Sequence, residues 1–313
     1  MFAGLHGASR LTAILMAGSL MVAACTPVPV AAPPPVIAAA PPPPETPQSA
    51  AMRVYLAQVQ ANLLSRGLLR TDPGIPDAPF NARMLAENFL RIALFDEFQS
   101  GPGGYVAQET ESVLRRWQVP VRMSLRFGAT VPEARRATER ARVGSYLARL
   151  SGITGHPIRL SESAPNFFLY IVSEDERAAL GPEIAAVMPG FNPNEIRAFT
   201  AMPPSTYCQV SVLSEADTGI YLRAFAVVRS EHSDLMNLAC LHEEIAQGMG
   251  LPNDSPRARP SIFNDDQEFA LLTPMDEDML RILYNPALRP GMSLAEARPI
   301  VDALATALIG GDT

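Results

Sequence analysis

A third of the chain's 30 prolines fall between Thr26 and Pro47, in the stretch TPVPVAAPPPVIAAAPPPPETP. Proline lacks a backbone N–H and fixes φ, so neither a helix nor a packed sheet can run through such a segment. Cooperative folding is therefore expected only after residue 48. A stretch of this composition is a stiff spacer, extending about 3.1 Å per residue where it is polyproline-like. About 265 residues follow, enough for one large domain or a domain with a helical appendage.

Ahead of the spacer, Arg10 is followed by the apolar run LTAILMAGSLMVAAC. Its short core ends in small residues, which predicts a secretory signal over residues 1–24 rather than a membrane span. Val22-Ala23-Ala24-Cys25 resembles a lipobox, the processing site of bacterial lipoproteins. That resemblance implies a lipid-bearing Cys25, a lipidated Pro-rich linker over 25–48, and a globular domain held at the membrane of the cell envelope, facing the periplasm. The alternative is ordinary cleavage near Ala24, leaving Cys25 as a free thiol.

With Cys25 lipidated, Cys208 and Cys240 remain, an even pair in an oxidising compartment. A disulfide between them would stabilise the fold by roughly 3–4 kcal/mol in the chain-entropy model. Two buried free thiols are the other reading. The net charge is −7, and all 25 basic residues are arginines scattered along the chain. An acidic balance without basic clusters excludes a nucleic-acid partner.

Hydrophobic periodicity predicts two helices in AAMRVYLAQVQANLLSRGLL and NARMLAENFLRIALFDEF, then a break at the Gly-Pro-Gly-Gly of 101–104. Alternation at Val119, Val121, Met123, Leu125 and Phe127 marks a strand, followed by an Arg-rich helix and the short apolar strand NFFLYIVS. EDERAALGPEIAAVMP reads as one helix, and YCQVSVLS and GIYLRAFAVVRS as two strands. Next comes the helix HSDLMNLACLHEEIAQGMG, with Ser233 as N-cap and Gly250 where it would stop. A loop leads to two last helices, the first capped by Thr273. The expected plan is an α+β domain over 105–313, with a mixed sheet packed against the motif helix, preceded by a helical part over 49–104.

The chemistry concentrates in CLHEEIAQGMGLPND, residues 240–254. His242-Glu243 begins an H-E-x-x-H pattern, but its second ligand position is Ala246. One residue on, Glu243-Glu244-x-x-Gln247-x-x-Gly250-Leu251-x-Asn253 has the spacing of the metzincin motif H-E-x-x-H-x-x-G-x-x-H. Trp117 before the first strand, and the run Ser261, Phe263, Leu272, Thr273, Asp276, Leu283 and Tyr284, are also similar to matrixin-like metzincins. The resemblance implies a zincin-like fold in which Glu243, Gln247 and Asn253 replace the three histidines on one cleft wall. Glu244 then stands at the general base. The chain resembles more closely a bacterial family of secreted proteins and lipoproteins catalogued as a domain of unknown function. Its signature is met from Cys240 to Asp254 and from Ser261 to Asp265.

Three functions remain open at this point. The first is a catalytically degenerate protein that binds a peptide, a glycan or an envelope protein. The second is a divergent metal-dependent hydrolase with Glu244 as base and Glu243, Gln247, Asn253, Asp254 and His242 (or His232) as ligands. The third is an envelope scaffold. An oxygen-rich ligand set suits Ca²⁺, Mg²⁺ or Mn²⁺ better than Zn²⁺, and amide oxygens are poor zinc ligands, so no stoichiometric zinc is expected. His242 is taken as a surface residue or the partner of a nearby acid.

Overall fold

The computed structural model describes residues 42–310, apart from 75, 102, 103, 216, 217 and 265, with backbone alone given for 97–101 and 104–109. The signal segment, Cys25, most of the Pro-rich stretch, the tip of Gly-Pro-Gly-Gly and Asp265 lie outside the described residues.

Helix α1 spans Pro47–Ser65. Pro47 occupies its first turn, where the missing N–H is an orphan donor in any case, and the Thr46 hydroxyl accepts from the Ser49 N–H. Helix α2 spans Ala82–Ala93 and is capped by Asn81. It stops short of the predicted end, and the chain turns into strands β1 (Phe95–Gly101) and β2 (Gly104–Glu111), an antiparallel pair. Gly101 and Gly104 are thus partners across this antiparallel pair, where the sequence reads as a break.

Strands β3 (Val121–Phe127), β4 (Ile158–Leu160), β5 (Phe167–Val172), β6 (Cys208–Ser214) and β7 (Tyr221–Arg229) form one mixed sheet in the order β4-β3-β5-β7-β6. All neighbours are parallel except β6, which runs antiparallel to β7 at the edge. The fold is α+β, as expected.

β5 reads Phe-Phe-Leu-Tyr-Ile-Val and is buried along its whole length, because both faces of the sheet are covered there. On one face, Val121, Met123 and Leu125 of β3 and Leu169 and Ile171 of β5 join the main core. Helices α3 (Glu133–Thr154) and α7 (Asp234–Gln247) contribute Leu147, Leu150, Leu241 and Ile245 to it. On the other face, Phe168, Tyr170, Phe225 and Val227 pack beneath Ile184, Met188 and Phe199.

That second layer corrects one expectation. The single helix read from EDERAALGPEIAAVMP is two, α4 (Glu174–Ala178) and α5 (Gly181–Val187), with Pro182 in the first turn of α5. A further short helix, α6 (Pro193–Thr200), follows behind an Asn192 capping box. α8 (Pro274–Leu283) and α9 (Leu294–Ile309) end the described chain, and α9 packs on α2.

Candidate functional site

The Ser233 side chain forms no cap bond at the start of α7; the Met236 N–H donates instead to Gln60 Oε1 of α1 at 3.0 Å. Cys240, Glu243, Glu244 and Gln247 recur at i, i+3, i+4 and i+7, which places them on one side of the helix. Cys240 is joined to Cys208 of β6 by the disulfide, with Cα atoms 5.8 Å apart. The edge strand is therefore pinned to the motif helix one turn before the paired acids.

The helix ends at Gln247, three residues before Gly250. Gly250 has φ +127°, and a Cβ there would run into the Arg115 carbonyl oxygen, so only glycine suits this reversal. The carbonyls left over at the helix end are satisfied from the flanking motifs. Trp117 Nε1 donates to the Gly248 carbonyl at 2.8 Å, and the Tyr284 hydroxyl donates to the Met249 carbonyl at 2.9 Å. Trp117 is buried beside Phe167 and Tyr221.

The three ligand-spaced positions take different paths. Gln247, half-buried, donates from Nε2 to Asp254 Oδ1 at 3.3 Å. Asn253 is buried and turned toward α2, where its Nδ2 donates to the Arg91 carbonyl at 3.0 Å and its backbone N–H to the Ile92 carbonyl at 3.2 Å. It closes the C-terminal end of α2. Glu243 is half-buried and Glu244 is buried at 4% exposure; both, like Asp254, have interaction partners. Among the described residues no group of three or more His, Cys, Asp or Glu side chains has the arrangement to hold a metal ion. The residues at the ligand positions do not fit a zincin metal centre, because Asn253 is committed to a neighbouring helix end.

His242 is not a surface residue. Its ring stacks on Tyr146 of α3 with centroids 4.0 Å apart and planes within 7°, and Nδ1 accepts the Leu272 N–H at 3.0 Å. That acceptor role places the proton of the neutral ring on Nε2. Burial, with the Arg149 charge adding, holds its pKa down to about 3. His232 is also buried, with Nε2 2.8 Å from the Tyr207 carbonyl oxygen and 3.7 Å from Cys240 Sγ, and burial lowers its pKa to about 4. Both imidazoles are neutral framework groups.

Sequence reasoning did not foresee the part played by Asp276. Its carboxylate accepts the Ser261 hydroxyl at 2.5 Å, the Ile262 N–H at 3.1 Å and the Thr273 N–H at 2.8 Å. Thr273 in turn donates its hydroxyl within reach of the Pro260 carbonyl at 2.8 Å. One fully buried acid thus ties the Ser-Ile-Phe-Asn turn to the start of α8. Burial raises its pKa to about 6 against the opposing hydrogen bonds. The only signal in the sequence was the Thr-x-x-Asp spacing of a helix cap. Tyr146 and Gln60 left no signal at all.

Residues 82–303 match the model of a family described as protein of unknown function (DUF2927). The chain belongs to this family. The match begins at α2 and reaches into α9, so α2, the hairpin, the sheet and the motif helix all belong to the DUF2927 domain, while α1 precedes it. No curated protein and no solved structure matches the chain.

Proposed function

We propose that this DUF2927 protein is a zincin-like binding protein of the bacterial envelope, lipid-anchored through Cys25, that captures an extended peptide segment rather than cleaving it. The observation that carries the reading is the use of Asn253. It occupies a ligand position of the metzincin frame, yet it spends its amide on the Arg91 carbonyl. Gln247, one helical turn into the same frame, faces Asp254. Side chains that in a hydrolase would converge on a metal serve here to set the helix end and the loop after it.

The peptide assignment rests on β6. It is an edge strand with β7 on one side only, half-buried throughout, and braced by the disulfide beside the Glu243–Gln247 side of α7. An edge of unpaired backbone groups accepts an added strand, with affinity from main-chain hydrogen bonds. The half-buried acids Glu243 and Asp254 would then bias the choice toward basic or amine-bearing residues. A mixed sheet with its one antiparallel strand at the edge, followed by the motif helix, supports the zincin-like reading.

The test is amide hydrogen exchange on the full-length protein incubated with extended, arginine-containing peptides of alternating polarity. New protection is expected in residues 208–214, with weaker binding after Glu243→Gln. Protection confined to other elements while 208–214 exchanges unchanged would contradict it, as would cleavage of the peptides.

A further inference from the structure

The arginines are scattered along the chain, yet the register of the sheet gathers four of them on one face. Arg122 of β3 lies directly opposite Arg159 of β4. On the other side of β3, Asn166 binds both neighbours: its Oδ1 accepts the Arg122 N–H at 2.7 Å, and its carbonyl accepts the Ala224 N–H at 2.9 Å. Because Phe167 is paired with Ala224, Arg223 falls in the same row. Arg126 stands two rows further along β3.

Alternation settles which way these side chains point. Val121, Met123, Leu125, Ile158 and Ala224 belong to the core under α3 and α7, so Arg122, Arg126, Arg159 and Arg223 project from the opposite face. Among the described residues Arg126 is the one of the four within 4 Å of a carboxylate, Glu162 at 3.4 Å. Glu162 also accepts the Ser124 hydroxyl, and Glu183 accepts the Tyr170 hydroxyl beside Arg126. Among the described residues, Arg122, Arg159 and Arg223 pair with no carboxylate. Arg122 Nε donates to the Ala164 carbonyl at 2.6 Å, and Arg223 to the Val187 carbonyl at 3.1 Å.

Adjacent strands lie about 4.8 Å apart, so this row sets the Cα atoms of Arg159, Arg122 and Arg223 at steps of roughly 5–10 Å, a span their long side chains can cover. Like charges directly opposite one another weaken a sheet. In a protein of net charge −7, such a row is a local inversion of sign that a bound anion would relieve. Guanidinium forks match phosphate oxygens in bidentate pairs, and three of them at this spacing fit several linked phosphates better than one.

The geometry points to a binding site for a small, multiply phosphorylated ligand on this face. A membrane surface is the poorer fit. The layer formed by α5 and α6 covers β5 and β7 on the same face, and a packed layer stands about 10 Å above a sheet. Arg223 lies at the foot of that layer, bonded to the end of α5, where a flat bilayer would be held away. The site lies across the sheet from α7, so it stands or falls independently of the peptide-binding reading.

Titration calorimetry of the full-length protein with inorganic tripolyphosphate tests the site. Saturable binding of one tripolyphosphate is expected, weakened about tenfold or more by Arg122→Gln with Arg159→Gln, since two charge-assisted contacts are removed. Arg66→Gln, which like Arg223→Gln removes one positive charge but at the exposed end of α1, should leave binding unchanged. The double variant should melt no earlier than wild type, because a like-charge pair has gone. If it does melt earlier, Arg223→Gln alone must still weaken binding. Absence of saturable binding, equal loss in Arg66→Gln, or indifference to the row variants would overturn the inference. So would vesicles of phosphatidylglycerol requiring these arginines while tripolyphosphate does not bind.

Discussion

The side-chain amide of Asn253 donates to the carbonyl of Arg91 at 3.0 Å and thereby closes the end of α2 from the loop that follows the motif helix. Two elements some 160 residues apart in sequence are joined by a residue that the metzincin spacing would make a ligand.

Asn253→Ala should therefore act on stability first. It removes one donor from the part-buried Arg91 carbonyl and the buried side chain that supplies it, a loss of about 1–3 kcal/mol in urea unfolding. Asn253→Asp should be worse, since a carboxylate would face the Arg91 carbonyl. An Asn253→Ala protein as stable as wild type would remove the structural role.

Asp276 predicts an unusual pH response. Its folded-state pKa, near 6, lies above its ordinary value, so its contribution is fully present below about pH 4 and lost as pH rises through 6. His242 and His232 act in the opposite sense. Their folded-state values are depressed, so their contribution is present above about pH 6.5 and lost on acidification toward 3–4. With Asp276→Asn the stabilising branch disappears and mismatched donors meet the Ile262 and Thr273 N–H groups. The variant should lose about 2–4 kcal/mol at pH 7, and its deficit should widen between pH 6.5 and 4.5. Chemical denaturation at three pH values measures both; a deficit that narrows on acidification would contradict the assignment.

Removal of the disulfide by Cys208→Ala with Cys240→Ala should cost about 3–4 kcal/mol for a loop of 32 residues. Amides of β6 should exchange faster than those of β5, because the edge strand loses its brace to α7. Uniform acceleration across the sheet would mean that the bond acts on the unfolded chain alone.

Cys25→Ser should release the protein from the membrane fraction or block its processing. A wild-type protein recovered wholly in the soluble periplasmic fraction, with a free N-terminus other than Cys25, would sink the anchor.

Periodicity made the α+β plan legible, because Phe167–Val172 and the alternation of Val121–Phe127 are strong signals. The Cys208–Cys240 pair followed from counting. The hairpin did not show, since Phe95–Phe98 continues the apolar spacing of α2 and nothing local says that the helix stops at Ala93. Nor did the burial of His242, which depends on Tyr146, nearly a hundred residues away. The arginine row escaped for the same reason. Arg122, Arg159 and Arg223 become neighbours only through strand register, which is a tertiary property.

Metal content tests the central claim most directly, namely that the motif positions are framework and not a ligand set. The full-length protein, purified without chelator and assayed by plasma mass spectrometry, should carry well under one zinc per chain. Gln247→Ala and Asn253→Ala should leave that content unchanged while lowering stability. One tightly bound zinc per chain, lost in either variant, would contradict the account.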